Sequence, residues 1–149
     1  MRCESLGMLV IVLFAVSGVC RADCWGEAEA RFAVSRWLLL AIAQNESGMD
    51  PARLHRNADG SYDIGLMQIN SAWLPRLRPY GIGITELRDP CVNLNVGAWI
   101  LANDFAVYGK TWRAVGAYNA RSESLRIRYA WQVAHRLRAI VREYGVGRQ

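Results

Sequence analysis

At 149 residues, with 52% hydrophobic and 21% charged side chains, the chain suits one compact domain and is too short for two. Its formal net charge is +5, and every basic residue except Lys110 is an arginine. So mild a balance suits an anionic polymer; with no basic-aromatic repeat or nucleic-acid motif, DNA and RNA are not the expected partners.

Arg2 precedes an apolar run from Leu6 to Val19, and Cys20-Arg21-Ala22 places small residues where a signal peptidase reads. The run falls short of the roughly 20 residues that span a bilayer. Residues 1–22 are therefore expected to be a cleavable secretory leader, with an uncleaved anchor as the alternative. Residues 23–149 then form the domain, with 16 Lys+Arg against 12 Asp+Glu and with Cys24 and Cys91 as its cysteines. An oxidising compartment lets these two pair or leaves two separate thiols. Closing a loop of about 67 residues contributes up to roughly 4 kcal/mol by chain entropy.

From there the pattern is helical with one polar interruption, which predicts a mainly α fold. Asp23 to Phe32 reads as a short entry helix. Ser35 is the expected N-cap of a helix from Arg36 to Glu46, whose Trp37 to Ala43 stretch is apolar on nearly every face and so belongs in the interior. Gly48 supplies a left-handed stop and Pro51 follows. Asn57-Ala58-Asp59-Gly60 is turn chemistry, so Asn57 to Asp63 forms a small hairpin or irregular loop. Leu66 to Leu77 reads as a short helical stretch, and Thr85 as the cap of a single turn. Cys91 to Tyr108 reads as an amphipathic helix stopped by Gly109. Thr111 caps a helix into Tyr118, and Ser122 or Ser124 starts the last, with Tyr129, Val133, Leu137, Ile140 and Tyr144 facing inward. Arg136, Arg138 and Arg142 fall towards the negative end of that helix.

One acid stands out. Glu46 closes an apolar helix, where a dry approach and the unsatisfied carbonyls of the last turn both disfavour its charged form. Each raises its pKa from about 4.3 towards the range in which a carboxylic acid donates a proton at neutral pH. Gly65-Leu66-Met67-Gln68-Ile69-Asn70 follows, with Gln68 offering an amide to sugar hydroxyl or N-acetyl groups. Ala117-Tyr118-Asn119-Ala120 adds a phenol and an amide. His55 and His135 are far apart and lack metal-site spacing, so no metal or cofactor is expected, and Ser47 has no base to make it a nucleophile.

The ordered set Ala41-Ile42-Ala43, Glu46-Ser47-Gly48, Gly65 to Asn70 and Ala117 to Ala120 resembles the soluble lytic transglycosylase family. It is especially similar to the small single-domain members that accompany secretion systems, conjugation pores and pili. Cys24-Trp25 and Asp89-Pro90-Cys91 resemble that subgroup's disulfide. The resemblance implies a lysozyme-like fold, a Cys24–Cys91 bond and a periplasmic monomer that cleaves peptidoglycan glycan strands between N-acetylmuramic acid and N-acetylglucosamine. It implies Glu46 as catalytic acid, Ser47 as its support, and Met67, Gln68, Tyr118 and Asn119 as lining of the sugar cleft. The family pattern continues with Gly where this chain has Arg121. Two other functions are weighed: a hydrolytic muramidase with Asp63 as second carboxylate, and a non-catalytic wall-binding assembly protein.

Overall fold

The computed structural model describes residues 23–145; the expected leader, residues 1–22, lies outside the described residues. Six α-helices and a small three-stranded sheet follow in the order α1 (Cys24–Phe32), α2 (Arg36–Glu46), β1 (Leu54–Arg56), β2 (Tyr62–Ile64), β3 (Ile69–Asn70), α3 (Leu74–Leu77), α4 (Pro90–Tyr108), α5 (Trp112–Ala117) and α6 (Glu123–Tyr144). The mainly α fold expected from the sequence is the one observed.

Helix α4 lies at the centre, packed against α1 and α5, while α6 closes over α2 and α5. The apolar stretch of α2 goes where its composition sends it: Leu39, Ala41, Ile42 and Ala43 are all fully buried. Helix α4 is not amphipathic in the expected sense. Asn93, Leu94, Val96, Gly97, Ala98, Ile100 and Leu101 are all buried, because neighbours cover it on several sides. Its cap is Asp89, whose carboxylate accepts from the Val92 N–H at 2.9 Å with Pro90 at the first helical position. A disulfide joins Cys24 at the start of α1 to Cys91 at the start of α4, with Cα atoms 5.4 Å apart. The loop it closes contains the whole sheet and the end of α2.

Several local expectations change. Ser35 makes no side-chain cap bond; the Arg36 N–H donates instead to the Glu29 carboxylate at 3.1 Å, which also binds the Arg36 guanidinium at 2.6 Å. Thr85 likewise makes no cap bond, and Glu86 accepts from the Gly83 N–H at 2.8 Å. The stretch from Leu66 to Leu77 is a turn, then β3, then a 3₁₀ turn (Ser71–Trp73) and only then α3. Pairing with β2 explains this, since Asp63 lies opposite Asn70 and Ile64 opposite Ile69. Helix α6 starts at Glu123; its Tyr129, Val133 and Ile140 are buried and Leu137 half-buried, whereas Tyr144 is exposed. Thr111 does cap α5, accepting from the Ala114 N–H at 3.3 Å.

The turn from Ile64 to Met67 is clamped by one buried amide. Asn93 on α4 accepts from the Met67 N–H at 2.7 Å and donates to the carbonyls of Ile64 and Leu87, both at 2.8 Å. Gly65 has φ +74°, and a Cβ there would stand 2.5 Å from the Asn93 amide nitrogen. Only glycine satisfies both the conformation and the close approach. The segment that carries Met67 and Gln68 is thereby bolted to the central helix.

Candidate active site

Glu46 occupies the last turn of α2, and the chain leaves it through Gly48 and Met49, both at positive φ. Its Oε1 accepts a hydrogen bond from the Tyr129 hydroxyl, reaching across from α6. Burial is the largest influence on the acid and pushes its pKa up to about 7; the Tyr129 bond pulls it down, the Asp63 charge pushes it up and Arg53 pulls it down. A group with this pKa holds its proton on half the molecules near neutrality, which is the condition for general acid work.

Tyr129 is 4% exposed, and its ring stacks on Tyr118 with centroids 6.5 Å apart. Burial and the nearby Glu46 carboxylate hold the Tyr129 phenol well above its ordinary range, so it stays a donor. Burial acts in the same way on Tyr118, with the charges of Glu46, Asp104 and Asp63 adding to it. The Tyr118 hydroxyl donates to the Met67 carbonyl at 2.9 Å and ties the end of α5 to the clamped turn.

The remaining expected site residues sit as follows. Ser47 is buried, and its hydroxyl donates to the Ala43 carbonyl at 3.2 Å, back along α2. The Met67 side chain is fully enclosed against Gly97, so what it presents to Tyr118 is its backbone. Gln68, at φ +49°, spends its amide N–H groups on the Gly65 carbonyl at 2.8 Å and the Arg53 carbonyl at 3.3 Å, leaving its oxygen as an acceptor. Asn119 is exposed and, with Tyr129, lines a polar hollow that also includes Arg121.

Asp63 is the expected rival carboxylate. On β2, its Oδ1 accepts from the Asn70 amide at 2.7 Å and its Oδ2 from the Asn57 amide at 3.0 Å. Both amides also donate to the Ser61 hydroxyl, so the carboxylate is the hub of a network bracing the hairpin. His55 lies on β1 and His135 on α6, both exposed. Among the described residues no group of three or more His, Cys, Asp and Glu is placed to hold a metal ion.

The profile of the transglycosylase SLT domain matches residues 23–130. The chain belongs to that family. Similar proteins include the invasion protein IagB of Salmonella typhimurium, 43% identical over 143 residues that cover 90% of this chain and 89% of the relative. Protein IpgF of Shigella flexneri is 37% identical over 138 residues, covering 89% of this chain and 91% of that one. Among solved structures, an inactive glutamate-to-glutamine mutant of the lytic transglycosylase Slt from Pseudomonas aeruginosa aligns with a TM-score of 0.64 at 18% identity. That alignment covers 86% of this chain and 25% of the larger one, and it shows the shared fold. The protein is thus a lytic transglycosylase enzyme by family.

In this transglycosylase two features of the site escaped sequence reasoning. Tyr129 was legible as an inward-facing residue but not as the partner of an acid 83 residues away. Its only signal is that a buried stripe carries Tyr where Phe would pack equally well, and a buried hydroxyl needs a partner. Asp104 on α4 is the other: burial lifts its pKa to about 6, against a lowering influence from Arg126, and its charge is felt by Tyr118.

Replacing Tyr129 by Phe removes a bond that stabilises ionised Glu46, so the acid's pKa should rise further. The alkaline limb of the pH–activity profile, expected near pH 7 in the wild type, should move to higher pH. The peak rate should fall by about tenfold as the carboxyl loses its orientation. An unmoved limb would show that Tyr129 does not govern the acid.

Proposed function

We propose that this transglycosylase cleaves peptidoglycan between N-acetylmuramic acid and N-acetylglucosamine with Glu46 as its acid and then its base, leaving a 1,6-anhydro-muramic end. The single observation that carries this reading is a carboxyl with a pKa of about 7, held by Tyr129, while the rival carboxylate Asp63 is committed to the hairpin. Glu46 gives its proton to the glycosidic oxygen as the C1–O bond breaks towards an oxocarbenium-like centre. The carboxylate so formed takes the proton of the C6 hydroxyl of the same muramic sugar, and that oxygen closes on C1. No water is consumed. The attack is intramolecular, so a well-placed C6 hydroxyl competes at an effective concentration far above that of solvent.

The clamped turn supplies one wall of the cleft, through Gln68 and the backbone of Met67, and Tyr118 and Asn119 supply the other. Ser47 supports the acid indirectly by tying the end of α2 to its own preceding turn. A leader at residues 1–22 ahead of the domain at 23–149 would place a monomeric enzyme in the periplasm. The resemblance to small members that accompany secretion systems, conjugation pores and pili assigns the enzyme to local opening of the wall for such an apparatus, and a relative named an invasion protein fits that reading.

Asp63→Asn separates this reading from a hydrolase. If Asp63 only braces the hairpin, the variant keeps making anhydro ends at a rate within about tenfold of wild type. A hydrolase that needs this base would lose about 10²–10⁴-fold. Since the Asp63 charge raises the Glu46 pKa, its loss should also shift the alkaline limb to lower pH, opposite to Tyr129→Phe. The pH profile of released fragments reads both.

A further inference from the structure

Two adjoining hollows include residues that neighbour Glu46. The first, of 370 Å³, is lined by Asn119, Arg121, Arg128, Tyr129 and Gln132 among others. The second, of 590 Å³, is lined by Asn45, Arg128, Gln132, His135 and Arg136 among others. Arg128 and Gln132 line both, so the hollows are neighbours along α6. Each includes a neighbour of Glu46: Tyr129, in the first lining, donates to it, and Asn45, in the second, precedes it in the chain.

The lining has a definite chemistry. It holds three guanidinium groups and three side-chain amides, and no carboxylate lines either hollow. Arg136 is committed, donating to the Asn45 amide oxygen at 2.9 Å. Arg121 and Arg128 are exposed and make no hydrogen bond, ion pair or ring contact with the described residues. Among the described residues only Arg36 and Arg113 have a carboxylate partner; Arg121 and Arg128 are set apart by lining one hollow together with Tyr129. Two guanidiniums without a protein partner line the first hollow and make it electropositive, which suits an anion. Their planar forks fit a carboxylate, and the flanking amides of Asn119, Gln132 and Asn45 can pair with peptide N–H and C=O groups. A neutral sugar chain asks for none of this charge. Arg121 also stands where the family pattern carries Gly, so this charge is a property of the present chain.

We propose that the two hollows bind the carboxylate-bearing peptide that branches from the muramic sugar of peptidoglycan, with Arg121 and Arg128 as its anion clamp. The inference rests on the transglycosylase reading of the Glu46 cleft and adds to it a preference for glycan that still carries its peptides. Such a clamp would choose where on a strand the acid acts.

The test uses the full chain with Glu46→Gln, which binds without cleaving, sedimented with intact wall sacculi and with the same glycan stripped of its peptides. Sacculi should bind about tenfold tighter than stripped glycan, as expected for a charge-assisted contact at a partly exposed site. Adding Arg121→Ala and Arg128→Ala should abolish that difference, whereas Arg121→Lys with Arg128→Lys, which keep the charge but lose the fork, should retain part of it. Equal binding of the two polymers, or a loss of binding to both in the double Ala variant, would overturn the clamp. Because neither arginine has a structural partner, thermal melting of the variant should match its parent. Product masses from the protein with Glu46 intact test the cleavage chemistry separately, so the two readings fail independently.

Discussion

Glu46→Gln is expected to lower the rate of glycan cleavage by about 10²–10⁴-fold, the contribution typical of a positioned general acid. Gln keeps the shape and can still accept from Tyr129, so binding should survive while proton transfer does not. Stability should move the other way. The folded protein holds the Glu46 proton up to about pH 7, whereas the unfolded chain releases it near the ordinary value of 4.5. Between those values the folded state binds more protons, so the group's contribution to stability is lost as pH rises through the window. Above it, ionised and largely buried Glu46 burdens the fold. Gln never ionises, so the variant should be about 1–3 kcal/mol more stable than wild type at pH 8 and no more stable at pH 4. Thermal melting at the two pH values measures this. A variant equally stable or weaker at pH 8 would mean that the carboxyl is not desolvated, and the case for it as an acid would fall with that result.

Asn93→Leu carries the second large effect. Asn93 is 0% exposed and satisfies the Met67 N–H and the carbonyls of Ile64 and Leu87 at once. Leu fills a similar volume but leaves three buried backbone groups unpaired, each costing about 1–3 kcal/mol. A total near 3–5 kcal/mol is expected after relaxation, a large share of a small domain's 5–15 kcal/mol. The damage should reach the cleft, because the turn that Asn93 holds offers its Met67 carbonyl to Tyr118 and carries Gln68. Even at a temperature where the variant remains folded, cleavage should fall by more than tenfold. Chemical denaturation and cleavage assays on the same sample check the two parts. A loss under about 1 kcal/mol would show that the turn holds itself without the clamp.

What the sequence discloses about this fold tracks the range of the forces involved. Helix α2 is legible because its apolar run and its Gly48 stop are local, and they place Glu46 in the last turn of a buried helix. Helix α5 is legible for the same reason, through Thr111. The two-residue strand β3 is not, since Ile69 and Asn70 have no strand pattern of their own and extend only because β2 lies beside them. Asn93 reads as one more polar residue in a helix until the turn 26 residues before it is folded against it. Ser35 illustrates the reverse case: a good local cap is left unused because Glu29, already in place on α1, satisfies the same N–H.

The site shows the same division. The acid is visible as a chemical anomaly, a carboxylate where the end of a helix prefers a cation. Its Tyr129 partner is not, because the hydrogen bond spans 83 residues and exists only once α6 has closed over α2. Arg121 is visible as a departure from pattern, but the hollow it shares with Arg128 appears only when the turn after α5 is set against α6. For Asp63, turn chemistry in the sequence and the paired amides in the structure agree on a bracing part in the hairpin.

The most direct test of the central claim is the mass of the ends released from purified peptidoglycan by the wild-type protein in heavy-oxygen water. The account predicts anhydro-muramic ends, one water lighter than the reducing sugar and free of heavy oxygen. Reducing ends carrying the heavy label would contradict it, because they would mean that water, and not the muramic C6 hydroxyl, completes the reaction at Glu46.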